Sequence, residues 1–64
     1  MITVNGVTQK FKELTLQELL TDLDLANKLC AIEVNNKLVP HSERNEYVLQ
    51  DGDSVEIVSL VGGG

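Results

Sequence analysis

Four groups in this chain invite a chemical reading: the thiol of Cys30, the imidazole of His41, the paired acids of Asp51-Gly52-Asp53, and the α-carboxylate of Gly64 behind Gly62 and Gly63. Cys30 has no second cysteine to pair with, and His41, the single histidine, falls in a different predicted loop. A nucleophilic thiol needs a neighbouring base or cation, so the expected role of Cys30, flanked by Leu29 and Ala31, is that of a small core hydrophobe. Zinc needs three or four convergent ligands, which the scattered carboxylates around His41 do not supply. The Asp51-Gly52-Asp53 stretch resembles a fragment of a calcium loop but lacks the further oxygen ligands and the closing glutamate, and reads as a turn. No metal site is expected. The glycine end remains. Glycines without Cβ atoms can lie extended in a narrow channel where any side chain would clash, and three of them carry a carboxylate roughly 10 Å. Chemistry here is therefore expected to be done to the chain, not by it. A free carboxylate is a poor electrophile, but adenylyl transfer onto it gives a mixed anhydride that a sulfur nucleophile can open, leaving a C-terminal thiocarboxylate. The plain alternative for the tail is a frayed terminus.

Such a tail needs a body to dock it, and length and composition bound that body. Sixty-four residues make one small domain. With Phe11 and Tyr47 as its aromatics, its core must be built from Leu, Val and Ile. Ten acids against five Lys and Arg give a net charge of −5, which argues against nucleic acid and anionic membrane as partners. The sequence has no signal-like apolar segment and no membrane-length run, so the expected compartment is the cytoplasm.

The elements follow from spacing. Met1 to Val4 alternates, Asn5-Gly6 suits a tight turn with positive φ at both positions, and Val7 to Phe11 resumes the alternation, giving a hairpin with Ile2, Val4, Val7 and Phe11 on the buried face. Thr15-Leu16-Gln17-Glu18 is a capping box, after which Leu16, Leu19, Leu20 and Leu23 form a helical stripe. Residues 24–30 read as a link in which Leu25 and Leu29 anchor the chain to the core. Ala31 to Val34, Asn35-Asn36 and Lys37 to Pro40 predict a second strand pair with a tight turn. Ser42 to Asn45 reads as one helical turn capped by Ser42, and Tyr47, Val48 and Leu49 pack back before the Asp51-Gly52-Asp53 turn. Ser54 to Val61 is predicted as the closing strand, with Val55 and Ile57 facing the helix.

Two strands, a helix, two strands, a short turn and a long last strand describe an α+β domain: a mixed sheet crossed by one α-helix, the β-grasp or ubiquitin-like order, with first and last strands parallel at the centre. The expected division is a β-grasp domain over 1–61 and a flexible glycine tail over 62–64. Alternation along the last strand sends Glu56, Val58 and Leu60 to the face without a helix, so Val58 and Leu60 form a candidate partner-binding patch beside the root of the tail.

The stretches Ile2-Thr3-Val4-Asn5-Gly6, Thr15 to Leu20, Ala31-Ile32-Glu33-Val34-Asn35 with Val39-Pro40, and Leu49 to Asp53 leading through Val55-Glu56-Ile57-Val58 to Gly62-Gly63-Gly64 together span nearly the whole chain. In that order they resemble the ThiS family, the sulfur carriers of thiamine biosynthesis. Asn36 stands where a glycine is common in that family, and His41 and Arg44 occupy a variable loop; neither departure touches the tail. The resemblance implies that Gly64 is adenylated by a ubiquitin-activating-like adenylyltransferase using ATP, converted to a thiocarboxylate with sulfur from a cysteine desulfurase system, and used by thiazole synthase, with Gly62 and Gly63 threading the tail. It implies a carrier and protein co-substrate, not an enzyme, with no cofactor of its own. The small subunit of molybdopterin synthase shares these features, and a β-grasp interaction or conjugation module stays open as a different class.

Overall fold

A computed structural model describes residues 1–60. In chain order it contains β1 (Ile2–Val4), β2 (Val7–Gln9), α1 (Leu16–Asp22), β3 (Cys30–Val34), β4 (Lys37–Leu38), a 3₁₀ turn (His41–Glu43) and β5 (Ser54–Ser59). The sheet order is β2-β1-β5-β3-β4. Strand β5 therefore lies at the centre, parallel to β1 and antiparallel to β3, which is the expected β-grasp arrangement.

Local chemistry accounts for each element. Asn5 and Gly6 take φ of 50° and 82°, closing the β1–β2 hairpin, and Asn35 and Asn36 take 53° and 69° between β3 and β4. Both turns match the right-handed strand twist that two positive-φ residues allow. The capping box forms as its sequence requires: Glu18 N–H donates to Thr15 Oγ1 (3.1 Å) and Thr15 N–H to Glu18 Oε1 (2.9 Å). Leu16, Leu19 and Leu20 are buried from that stripe, and Leu23, at the helix C-cap, packs half-buried against them. They meet Ile2, Val4, Ile32, Val34, Val39, Leu49 and Val55 in one apolar cluster between helix and sheet.

Five local expectations are corrected. Val48 does not pack back with Tyr47 and Leu49; it is exposed. Val7 is 63% exposed although it sits opposite Val4 in register. A seven-residue helix is about 10 Å long and about 10 to 12 Å across, whereas five strands span about 19 Å, so an outer strand such as β2 lies beyond its cover. Leu29 does not anchor the link; it is 69% exposed, and Leu25 alone of the two packs against the core. Ser42 is not a cap, because the 3₁₀ turn starts one residue earlier, behind Pro40, and has no side-chain cap. The closing strand ends at Ser59 rather than Val61, with Leu60 in a bend still tied to the sheet; Val61 and the 61/62 domain boundary lie outside the described residues.

Candidate functional site

Gly62, Gly63 and Gly64, to which the tail chemistry was assigned, lie outside the described residues. The described structure places the platform from which they leave. Strand β5 is gripped at its start and again at Ile57 by asparagine side chains from the two tight turns. Asn5 mimics a strand neighbour, accepting from Ile57 N–H (2.7 Å) and donating to Ile57 O (3.2 Å), while Asn35 accepts from Ser54 N–H (3.0 Å) and donates to Asp53 Oδ1 (2.9 Å). A positive-φ asparagine thus does two jobs, turning the chain and continuing the ladder. Past Ile57, Leu60 N–H donates to Leu29 O (2.9 Å), which extends the β3–β5 ladder to the last described residue.

Alternation on this strand decides the surface. Val55 is fully buried and Ile57 half-buried toward the helix, whereas Val58 is 56% and Leu60 61% exposed. The two residues proposed from sequence are therefore outward-facing and two positions apart, next to the chain end. Antiparallel pairing adds neighbours that the sequence reading did not assign to the patch: Ala31 stands opposite Val58, Leu29 opposite Leu60 through its ladder bond, and Leu38, on β4, opposite Glu33. Leu29 and Leu38 are both strongly exposed. A period-two reading of β3 from Ala31 outward contained the signal, but only the register with β5 brings the two strands' exposed residues together.

The other chemical candidates are absorbed by the fold. Cys30 opens β3 and is buried. Arg44, expected in a variable loop, is also buried; its Nη2 donates to Cys30 O (2.6 Å), and its Nη1 lies 3.2 Å from His41 Nδ1 and 4.0 Å from Cys30 Sγ. That guanidinium clamps the 3₁₀ turn to the start of β3, while the Arg44 carbonyl accepts from Gln17 N–H of α1 (3.1 Å). Asp53 is buried as a turn acid, accepting from Gln50 N–H (2.8 Å) and Asn35 Nδ2. Asp51 pairs with the N-terminal ammonium. Among the described residues no group of three or more His, Cys, Asp or Glu is placed to hold a metal ion, and no helix is long and apolar enough to cross a membrane. A surface cleft of about 480 Å³ beside α1 carries Glu18 and Asp22 as its ionisable groups, and Glu18 is already engaged in the capping box.

Comparison with known proteins agrees with this geometry. The model of the ThiS family matches residues 2–64. The sulfur carrier protein ThiS of Bacillus subtilis is 38% identical over 66 residues, covering 100% of both chains. A thiazole synthase of Paramagnetospirillum magneticum is 34% identical over 98% of this chain, which spans only 20% of that protein's length. The crystal structure of a thiamine biosynthesis protein (ThiS) from Geobacter metallireducens superposes with a TM-score of 0.82 at 30% identity, covering 98% of this chain and 97% of the other. A central parallel strand running out beside an exposed apolar face, shared fold across nearly the full length, and a family match that continues to Gly64 establish that this chain belongs to the ThiS family.

Proposed function

We propose that this chain is a sulfur carrier for thiazole formation in thiamine biosynthesis, a co-substrate whose reacting group is the Gly64 carboxylate. The observation that carries the reading is the family match through Gly64, joined to full-length similarity with a named sulfur carrier. In the first step the carboxylate attacks the α-phosphorus of ATP on a ubiquitin-activating-like adenylyltransferase; pyrophosphate leaves and an acyl adenylate forms. The outer sulfur of a persulfide formed by a cysteine desulfurase system then attacks the acyl carbon, the acyl C–O bond breaks and AMP leaves, and a thiol reductant cleaves the S–S bond of the resulting acyl disulfide to release the thiocarboxylate. The thiocarboxylate that results is ionised and nucleophilic at neutral pH and is delivered to thiazole synthase on the glycine tail. ATP belongs to the activating enzyme, the chain holds no cofactor, and the reactions take place in the cytoplasm.

The body supplies what the tail lacks. Ordering each glycine costs about 1 to 2 kcal/mol, so three glycines need binding surface elsewhere on the carrier, and the exposed face around Val58 and Leu60 is the surface nearest the tail root. Thiazole synthase as the consumer is supported by the P. magneticum protein of that name, which contains a related stretch within its own chain. Joining carrier and consumer covalently makes their encounter intramolecular and raises its effective concentration. The test is intact mass after incubation with ATP, the adenylyltransferase and the desulfurase system. Replacement of one oxygen by sulfur is expected; an unchanged mass overturns the reading.

A further inference from the structure

The helix-free face carries a pair of acids in an unfavourable position. Glu33 of β3 and Glu56 of β5 are direct cross-strand partners, and both are exposed. Ladder bonds bracket them, Asn35 N–H to Ser54 O (2.8 Å) on one side and Leu60 N–H to Leu29 O (2.9 Å) on the other. Counting pairs between these bonds makes Glu33 and Glu56 a hydrogen-bonded pair, with Cα atoms about 5.5 Å apart and side chains on one face. Like charges placed directly opposite each other destabilise a sheet. No internal cation relieves them: among the described residues neither side chain has an ion-pair or hydrogen-bond partner. Their neighbours on that face include Ala31 and Val58, two residues along each strand, and Leu38, across from Glu33.

We infer that the Glu33–Glu56 pair is the charged half of the docking surface and that the adenylyltransferase presents a basic side chain to it, seated among apolar residues that cover Val58, Leu60, Leu29 and Leu38. The occupant follows from charge complementarity. Two carboxylates on adjacent central strands match the fork of one guanidinium, whose planar donors can serve both acids at once. The apolar residues beside them exclude water and strengthen that contact once the surfaces meet. Free in solution the pair repels; in the complex the repulsion becomes shared attraction to one cation. This inference rests on the sulfur-carrier reading, since it describes the partner that activates the tail.

The experiment uses the full chain and the adenylyltransferase of the same organism with ATP, following pyrophosphate release. The doubly substituted Glu33→Gln, Glu56→Gln carrier should melt at the same temperature as wild type or higher, because removing the charges removes the repulsion. Its KM should rise by about tenfold while kcat stays unchanged, and its KM should respond less to added salt than that of wild type, as removal of an interfacial charge predicts. Glu56→Lys should raise KM further. A wild-type KM and salt response in both variants overturns the inference, as does a lowered melting temperature in the glutamine variant, which would make the acids part of the fold. Failure of the underlying reading looks different: wild-type carrier itself would release no pyrophosphate.

Discussion

Placing a carboxylate at Val58 separates docking from folding, because this residue sits on a central strand yet is 56% exposed in the free carrier. Fully burying a valine side chain is worth about 1.5 to 3 kcal/mol, so the part still available to a partner is worth about 1 kcal/mol. Val58→Asp forfeits that and also buries an unpaired charge at the interface, a cost of at least about 2 kcal/mol. The sum of about 3 kcal/mol corresponds to a loss of about a hundredfold in affinity for the adenylyltransferase. The cost to the fold is smaller. Asp is poorly suited to a strand by up to about 1 kcal/mol, which in a domain this size lowers Tm by about 4 to 8 °C. Leu19→Asp is the control: Leu19 is 3% exposed on the core side of α1, and a buried charge there exceeds the few kcal/mol that hold so small a domain together. Calorimetric titration and a thermal melt on both variants read the two effects independently. Normal binding by Val58→Asp would put the docking face elsewhere, and an unfolded Val58→Asp would refute the orientation of β5.

Further outcomes follow from the same geometry. Removing Gly64, or adding a residue after it, should abolish adenylation by displacing the reacting carboxylate, with Tm unchanged; full sulfur transfer by either variant in the mass assay would remove Gly64 from its assigned role. Thr15→Ala deletes one arm of the capping box and should cost about 1 kcal/mol in a denaturant melt, without altering affinity for the adenylyltransferase. Asn5→Ala loses both bonds to Ile57 and places alanine at a φ of 50°, and should cost about 2 to 3 kcal/mol by the same measurement. Arg44→Ala leaves the Cys30 carbonyl without its donor and opens a void beside it, so a loss of about 2 to 4 kcal/mol is expected, whereas Arg44→Met keeps the volume and should cost less.

Much of this molecule is legible along the chain because its determinants are local. A capping box needs residues three apart, a tight hairpin needs two residues that accept positive φ, and a half-buried strand declares itself by period two; Thr15 with Glu18, Asn5-Gly6, Asn35-Asn36, and the alternation from Val55 to Val58 all behave as those rules require. The outward placement of Val58 and Leu60 was readable for the same reason. What the chain alone did not decide depends on which distant residues meet. Arg44 reads only as a residue of a variable loop until the 3₁₀ turn folds onto Cys30, where the carbonyl of a strand's first residue is available to it. Val7 and Leu29 have core-like side chains, but Val7 lies on an outer strand beyond the cover of one short helix, and Leu29 falls on the face of the sheet that carries no helix. Glu33 and Glu56 are unremarkable acids in sequence, separated by β4, the 3₁₀ turn and their connecting loops; antiparallel register alone sets them opposite each other, because a shift of one residue in pairing would turn one of them to the other face.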